Sequence, residues 1–285
     1  MLAKKPLWDT FGAEIEGVDL SGELPPDTVR FILATLHEHQ VLRFRNQSLS
    51  PEQFDRYGRI YGEPTPHVLD HFRLPGLPAV MKLTNATDRP DAIINGAAYW
   101  HTDQSYDADP SSATTLHAIK VPKAGGGTRL ANMFAAYDDL PESMKRKVDG
   151  LTVLHSYGNR DQGLDGEPEA SPPREEQWSK LVPVKHPLAR PHPITGRIAL
   201  YAVAGTSRGI EGWPEDEAVD FLRELKAHAL QPQYVRTLYY EVGDVAVWDT
   251  SSTMHAAEPL EEAAGEEDTR LMIRVSVRGK PPLLQ

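Results

Sequence analysis

Apolar side chains recur with a helical period in a few segments of the chain. Each of these segments carries apolar residues three and four positions apart, which places them on one face of a helix. The first segment also opens with a proline and an acidic residue, as the first turns of helices often do. The pattern therefore predicts helices over Pro26–His39, Pro51–Tyr61 and Glu215–Ala229.

Short apolar runs bounded by glycine, proline and other turn residues are more numerous, and they are typical of β-strands. They do not alternate regularly with the helical segments, which disfavours a parallel α/β sheet. We expect a mainly β fold with flanking helices, arranged as a sandwich or jelly roll. The predicted strands are Gln40–Arg45, Ala79–Leu83, Ala98–Ser105, Ala113–Val121, Gly127–Ala131, Thr152–Tyr157, Arg197–Tyr201, Tyr234–Tyr240, Asp244–Asp249 and Thr269–Arg278.

The composition is ordinary for a globular protein with a sizeable core. Apolar residues make up 40% of the 285 residues and charged residues 25%, close to the average for such proteins. Because β-rich chains of this length often form one domain, we expect a single domain over residues 1–285. Residues 161–180 are rich in Gly, Pro and Glu, and we interpret them as a lid or a surface insertion.

The net charge of −11 argues against nucleic acid or a membrane as a partner, since both select basic surfaces. No apolar stretch approaches the ~20 residues that span a bilayer, and the first residues lack the apolar region of a secretory signal. We therefore expect a cytoplasmic protein. The chain has no cysteine, which excludes thiolate metal sites and leaves His, Asp and Glu as the possible metal ligands.

One short segment pairs an imidazole with a carboxylate. His101 and Asp103 lie two positions apart within the predicted strand Ala98–Ser105, and residues two apart on a strand face the same side. Such a pair supplies two adjacent ligands to a metal. On its own, however, a His-x-Asp pair is more often a surface pair or a satisfied hydrogen bond.

A second segment offers a third ligand. Asp244–Asp249 has the pattern of a buried strand, and His255 follows it on a predicted loop. Two histidines and one carboxylate form the facial triad of non-haem Fe(II) oxygenases, which leaves coordination positions open. From this segment alone, a capping or core histidine is the competing interpretation.

The last predicted strand carries three arginines on one face, and two of them, Arg270 and Arg274, are candidates for binding anions. Arg270 and Arg274 are separated by roughly 13 Å along a strand, and each guanidinium can hold a separate carboxylate-type anion through paired hydrogen bonds. The competing interpretations are a solvated edge strand and, for Arg274, an internal ion pair, for instance with an acid between Glu258 and Asp268.

Taken together and in this order, the segments resemble the Fe(II)- and 2-oxoglutarate-dependent dioxygenases of the taurine dioxygenase and 2,4-dichlorophenoxyacetate dioxygenase (TauD/TfdA) family. The resemblance extends over nearly the whole chain. The blocks that carry it are Val41-Leu-Arg-Phe-Arg45, Trp100-His101-Thr-Asp103, Gly125-Gly-Gly-Thr128, Ala135-Ala-Tyr137-Asp-Asp-Leu140-Pro141, His186-Pro-Leu-Ala-Arg190-Pro-His192-Pro, Thr195-Gly-Arg197 and Trp248-Asp249. The chain departs from the family at Thr250-Ser251, where the family usually has Asn-Arg.

The resemblance implies a double-stranded β-helix core and identifies His101, Asp103 and His255 as the iron ligands. It implies an enzyme that uses Fe(II), 2-oxoglutarate and O2 to hydroxylate a C–H bond and releases succinate and CO2. The implied substrate is a small organic anion, such as a sulfonate, an aryloxyalkanoate or a similar carboxylate. We also expect the chain to form a homo-oligomer.

The resemblance also assigns four residues to ligand binding. Arg270 and Thr128 match the residues that hold the distal carboxylate of 2-oxoglutarate. Arg274 matches an arginine that faces the anionic end of the substrate, and His67 lies where some members contact their substrate. The particular role of each of these residues is what the resemblance implies, and the strand geometry adds that Arg270 and Arg274 share a face.

Two other functions stay open from the residues alone. A zinc hydrolase can use two histidines and one carboxylate to activate water, but it has no use for Arg270 or for the block around Thr128. A non-catalytic jelly-roll binding protein needs neither an intact ligand set nor two arginines on one inward face.

Overall fold

The computed structural model describes residues 2–66, 72–86, 97–156 and 182–284, and this part of the chain is mainly β with a few helices. The helices are α1 (Pro26–His39), α2 (Pro51–Gly58), α3 (Met133–Asp138), α4 (Glu142–Val148) and α5 (Glu215–Ala229). The strands are β1 (Ala3–Pro6), β2 (Ala13–Glu16), β3 (Val41–Phe44), β4 (Glu63–Pro64), β5 (Arg73–Leu74), β6 (Leu77–Thr84), β7 (Ser111–Lys120), β8 (Thr128–Asn132), β9 (Thr152–His155), β10 (Val184–Pro187), β11 (Ala189–Pro191), β12 (Ile198–Leu200), β13 (Ser207–Ile210), β14 (Val235–Leu238), β15 (Val245–Asp249), β16 (Thr253–Ala257) and β17 (Leu271–Arg278). The predicted lid or insertion at 161–180 lies outside the described residues.

The long helices follow the apolar pattern closely. Helices α1 and α5 have the bounds that the sequence predicts. Helix α2 begins as predicted, where Ser50 and Gln53 form a reciprocal capping box, but it ends at Gly58 instead of Tyr61. Helix α1 ends where Gln40 adopts a left-handed conformation (φ 68°), and the chain passes directly into β3.

Two separate sheets frame the centre of the molecule. The large sheet has the order β1-β2-β3-β15-β7-β17-β6-β5, with β4 paired to one end of β17, and a three-stranded sheet has the order β14-β8-β16. Among the described strands, pairing is antiparallel except between β2 and β3. Strands β15, β7 and β17 therefore form the middle of the large sheet, and β16 lies in the smaller sheet.

Apolar packing on the outer side of each sheet fixes the arrangement. Helices α1 and α2 cover the large sheet with Ile32 and Phe54 among their buried side chains, and burying a side chain of this kind contributes ~1.5–3 kcal/mol. Helix α5 covers a second core that includes Leu222 and, from β16, Met254. Since neighbours on a strand point to opposite faces, the next residue of β16, His255, points away from that core.

Two predicted elements differ from the structure in the region that matters most. Residues 98–105 do not form the predicted strand: they are a run of turns, broken by Gln104 in the left-handed region (φ 54°), with a single bridge from His101 to His255. His255 lies on β16 and not on a loop. Helices α3 and α4, with 6 and 7 residues, are too short to show a helical period and were not predicted.

In the part of the chain that the structure covers, no helix has the length and apolar character needed to cross a membrane.

Candidate metal centre and cosubstrate pocket

His101, Asp103 and His255 lie together at one buried position, although they come from two distant segments. Backbone hydrogen bonds of 2.9 Å in both directions join His101 to His255. One ligand atom from each of the three residues lies within 4.8 Å of the others. The Nε2 atoms of His101 and His255 are each 3.6 Å from a different carboxylate oxygen of Asp103. The predicted ligands are therefore brought together by a bridge between segments.

The donor set fits a divalent metal of the iron type. The Nδ1 atom of His101 lies 2.9 Å from the carbonyl oxygen of Tyr99, so we assign the proton to Nδ1, which leaves the Nε2 lone pair facing Asp103. A backbone carbonyl in this role orients a ligating histidine. Two imidazoles and one carboxylate without a thiolate suit Fe(II) with open coordination positions.

The electrostatics of the centre favour the protonation states that bind a metal. Burial alone would raise the pKa of Asp103, but the charge of Arg274, together with His255 and His101, holds that pKa well below its usual range. Burial, reinforced by His101, lowers the pKa of His255 to about 3. At neutral pH, Asp103 is thus ionised and His255 is neutral, as metal ligation requires.

Two donors from the large sheet hold the carboxylate of Asp103. The hydroxyl of Thr114 on β7 donates to Oδ2 at 2.7 Å, and Nη2 of Arg274 on β17 donates to Oδ1 at 2.8 Å. Ser276 lies between these two donors and connects them. Its Oγ accepts a hydrogen bond from Nε of Arg274 at 3.0 Å and lies 3.0 Å from Oγ1 of Thr114. Each oxygen of Asp103 therefore has one fixed donor and one imidazole beside it.

Arg274 forms an internal ion pair, as one of the interpretations of the sequence allowed, but with a different acid from the example given there. Its partner is Asp103 and not an acid between Glu258 and Asp268. The pair places the guanidinium beside the three candidate ligands, with its side chain 11% exposed. A role for Arg274 in binding substrate stays a prediction.

Gly205 makes room for His101. It adopts a left-handed conformation (φ +68°), and a Cβ at this position would lie 2.9 Å from Cβ of His101 and 3.2 Å from the carbonyl oxygen of Trp100. Glycine is therefore required here for both the conformation and the close contact. Nothing in the sequence distinguishes Gly205 from other glycines, because a glycine's contact partner is visible only in the fold.

We expect Gly205→Ala to displace His101 and to weaken Mn(II) binding by roughly 10- to 100-fold, the range for residues that orient metal ligands. Titration calorimetry measures the affinity. Gly76→Ala is the matched control, because Gly76 has a similar φ (+78°) but a Cβ there meets nothing within 4 Å. Equal Mn(II) affinity in the two variants would contradict this assignment.

A second polar pocket surrounds Arg270. Arg270 directly precedes β17, and its Nε donates to the carbonyl oxygen of Gly126 at 3.1 Å. Thr128, at the start of β8, lies with its Oγ1 2.8 Å from the hydroxyl oxygen of Tyr240. Against the effect of burial, the hydrogen bond with Thr128 and the positive charge of Arg270 both lower the pKa of Tyr240, so we treat the three side chains as one polar pocket.

Tyr240 is a member of this pocket that the sequence analysis missed. It is 7% exposed, whereas its neighbour Tyr239 is 56% exposed. Burial raises the pKa of Tyr240 to about 12, so its hydroxyl keeps a proton to donate at neutral pH. The signal available in the sequence was a tyrosine at the end of the predicted strand Tyr234–Tyr240, which is equally typical of a core residue.

Asn85 fixes the backbone at Arg270. Its Oδ1 accepts from the backbone N–H of Arg270 at 2.7 Å, and its Nδ2 donates to the carbonyl oxygens of Glu261 and Asp268, both at 3.0 Å. Asn85 is buried, so these bonds have no competing water. The loop that leads into β17 is thereby held in one conformation, and with it the direction in which Arg270 leaves the backbone.

The structure thus brings the predicted residues into two neighbouring groups, one around Asp103 and one around Arg270. His67 lies outside the described residues. A buried centre of two histidines and one carboxylate on a mainly β fold defines a class of protein, the facial-triad metal proteins.

Comparison with known proteins identifies the family. The sequence model that defines the "Taurine catabolism dioxygenase TauD, TfdA family" matches residues 3–276. The chain therefore belongs to this family. Its members are dioxygenases that use Fe(II), 2-oxoglutarate and O2. The family, the enzyme class and the cofactors predicted from the sequence are confirmed.

Individual relatives cover almost the entire chain. The alpha-ketoglutarate-dependent 2,4-dichlorophenoxyacetate dioxygenase of Burkholderia sp. (strain RASC) is 30% identical over 290 residues, 95% of each chain. The alpha-ketoglutarate-dependent sulfate ester dioxygenase of Pseudomonas putida is 31% identical and covers 98% of this chain and 90% of its own. The crystal structure of AAD-2 in complex with Mn(II) and N-oxalylglycine has a TM-score of 0.80 and 26% identity, and covers 99% of each chain.

Proposed function

We propose that this protein is an Fe(II)- and 2-oxoglutarate-dependent dioxygenase that hydroxylates a C–H bond of a small organic anion and releases succinate and CO2. The observation that carries the proposal is the buried meeting of His101, Asp103 and His255 in a chain of the TauD/TfdA family. When bound by these residues, iron supplies the redox chemistry that couples decarboxylation of 2-oxoglutarate by O2 to hydroxylation of the substrate.

The chain's own residues prepare this centre. Thr114 and Arg274 fix both oxygens of Asp103, and the bridge to His101 fixes β16 at His255. All three candidate ligands are buried, which limits the access of water to the reacting groups. We infer that the large sheet and the three-stranded sheet are the two halves of a double-stranded β-helix, in keeping with the similarity to AAD-2.

Arg270, Thr128 and Tyr240 would hold the distal carboxylate of 2-oxoglutarate. Arg270 offers a planar fork whose direction is set by Gly126 and Asn85, and the two hydroxyls offer further donors. The structural relative that binds N-oxalylglycine, a dicarboxylate, together with Mn(II) supports a site for such a ligand next to the metal.

We expect Tyr240→Phe to weaken 2-oxoglutarate binding by roughly 10-fold or more, since a hydrogen bond to a charged group is worth at least about 1.5 kcal/mol. Calorimetry on the Mn(II)-loaded protein measures this loss. Pyruvate has no distal carboxylate, so its affinity should not change in the variant. Tyr239→Phe, at the exposed neighbour, is the control substitution. An equal loss for pyruvate and 2-oxoglutarate would show that Tyr240 does not contact the distal carboxylate.

Arg274 would receive the anionic group of the substrate. Relatives that act on 2,4-dichlorophenoxyacetate and on sulfate esters support an anionic substrate, and Arg274 lies next to Asp103, close to where the substrate must react. A guanidinium in such a place keeps donors free for a second anion, because only Nε and Nη2 are hydrogen-bonded to the protein within the described residues.

We expect Arg274→Ala to reduce substrate-dependent succinate release far more than substrate-independent decarboxylation of 2-oxoglutarate. The ratio of oxidised product to released succinate measures this coupling. The affinity of the variant for Mn(II), measured separately, shows how far the substitution has disturbed Asp103. If the wild type turned over neutral substrates as well as anionic ones, Arg274 would have no role in recognising charge.

The experiment that tests the proposed function is a substrate screen. Purified protein with Fe(II), 2-oxoglutarate and O2 is offered sulfonates, sulfate esters, aryloxyalkanoates and amino acids, and succinate is measured. We expect one anionic class to raise succinate release and to yield an oxidised product in equal amount. Zinc-dependent hydrolysis that needs neither O2 nor 2-oxoglutarate would instead identify a hydrolase.

A further inference from the structure

Beside the segment that carries the candidate metal ligands, four buried polar atoms have no hydrogen-bond partner among the residues that the structure describes. They are Nη1 of Arg190, Oη of Tyr201, Nε2 of His155 and Oγ of Ser207. Tyr201 is 2% exposed, and His155 and Ser207 are fully buried. Because buried polar atoms nearly always have a partner, four such atoms in one place point to a ligand. We call these four residues the Arg190 cluster.

The four side chains face one another. Cζ of Arg190 lies 4.3 Å from the ring centre of Tyr201, and the ring centres of Tyr201 and His155 are 6.3 Å apart. Ser207 on β13 is the direct pairing partner of His155 on β9, so their side chains share one face of that sheet. Arg190 acts on the pKa of His155 through its charge. It acts on the pKa of Tyr201 through its charge and through a side-chain contact with the hydroxyl that lacks the geometry of a regular hydrogen bond.

The cluster carries one positive charge and no negative one. Burial lowers the pKa of His155 to about 3 and raises that of Tyr201 to about 12, so both are neutral at pH 7. Across the described ranges, no acidic side chain lies within ion-pair distance of Arg190. Asp103, whose charge reaches Tyr201, is already paired with Arg274.

The unpartnered atoms are also suited to donate. An arginine offers only donors, and the hydroxyls of Tyr201 and Ser207 are free to turn toward a ligand. Nδ1 of His155 lies 3.3 Å from Oγ1 of Thr206, and a hydrogen bond donated by that hydroxyl leaves the ring proton on Nε2. Donors with a net positive charge match a small anion, which compensates the charge of the partly buried Arg190 better than a water molecule does.

We propose that the Arg190 cluster binds one small monovalent inorganic anion of the size of chloride. This site is separate from the anions that the proposed function requires at Arg270 and Arg274. The cluster continues through Thr206, whose Oγ1 lies 2.7 Å from Oγ of Ser105. A bound anion would therefore also help to hold the segment that follows Asp103.

The first test locates the anion. Crystals of the full chain grown with Mn(II) and 2-oxoglutarate, which occupy the cosubstrate pocket, are soaked in bromide, and anomalous scattering is recorded. We expect a bromide at the Arg190 cluster of the wild type and none there in Arg190→Met. Bromide only at the protein surface, or a peak at the cluster that survives in Arg190→Met, would mean an adventitious ion only and would overturn the proposal.

The second test measures affinity in solution. Chloride replaces gluconate, an anion too large for the cluster, at constant ionic strength, and thermal unfolding of the Mn(II)- and 2-oxoglutarate-loaded protein is followed. A ligand that binds only the folded state raises Tm with its concentration. We expect this dependence in the wild type and in the control Arg197→Met, which removes a half-exposed arginine paired with Asp138.

The same titration in the variants decides the outcome. Arg190→Met should remove the dependence on chloride, and the near-isosteric variants Tyr201→Phe and Ser207→Ala should each weaken chloride binding by severalfold. The last two keep the test decisive if Arg190→Met does not fold. Chloride dependence that is equal in the wild type and in both isosteric variants would overturn the proposal, as would a wild type that responds equally to chloride and gluconate.

Discussion

Replacing His255 by alanine is expected to abolish metal binding and 2-oxoglutarate turnover while the fold survives. Within the described part of the chain, His255 supplies one of three candidate ligand atoms in the centre. Its loss should weaken Mn(II) binding by more than the roughly 10- to 100-fold that loss of an outer partner costs. Calorimetry with Mn(II) and succinate release with Fe(II) measure the two effects.

A buried histidine outside the centre provides the matched control for this variant. His117 on β7 is 5% exposed and packs against Phe54. His117→Ala removes a ring of the same size, so it should lower Tm without changing the metal affinity. Full turnover in His255→Ala would contradict the ligand assignment, whatever the behaviour of His117→Ala.

Replacing Arg270 by lysine is expected to raise the KM for 2-oxoglutarate by roughly 10- to 150-fold, which corresponds to about 1.5–3 kcal/mol. The guanidinium is a planar fork that fits a carboxylate, whereas an ammonium is a point charge on a flexible stem. In addition, Nε of Arg270 is held by the carbonyl oxygen of Gly126, a contact that sets the direction of the fork and that lysine cannot reproduce in the same geometry.

Steady-state kinetics with two cosubstrates separate this effect from a general disturbance. The KM for 2-oxoglutarate should rise in Arg270→Lys. The rate with 2-oxobutyrate, which lacks the distal carboxylate, should be the same in the variant and in the wild type. An unchanged KM for 2-oxoglutarate would place the anchor of the cosubstrate elsewhere in the protein.

Local sequence patterns were sufficient to predict the bounds of an element where the segment is long and buries one regular apolar face. The bounds of α1 and α5 follow from their apolar faces, and the central strands β7, β15 and β17 were each predicted to within a few residues. The segment 98–105 was misread as a strand because its composition is strand-like, whereas its turns and its bridge to His255 depend on a partner far away in sequence.

The finer parts of the candidate site also depend on distant contacts. Asn85 reaches the backbone of Arg270 across 185 positions, and Arg274 reaches Asp103 across 171. Similarly, nothing in the local sequence of Gly205 or Tyr240 reveals the neighbours that give them a role. The expected homo-oligomer and the role of His67 stay predictions.

Anaerobic titration of the Fe(II)-loaded protein with 2-oxoglutarate tests the central claim most directly. We predict a weak charge-transfer band in the visible spectrum that saturates with 2-oxoglutarate, needs higher concentrations in Arg270→Lys and is absent in His255→Ala. A zinc hydrolase or a non-catalytic binding protein would give no such band. Fe(II) bound at His101, Asp103 and His255 without any band at saturating 2-oxoglutarate would contradict the account.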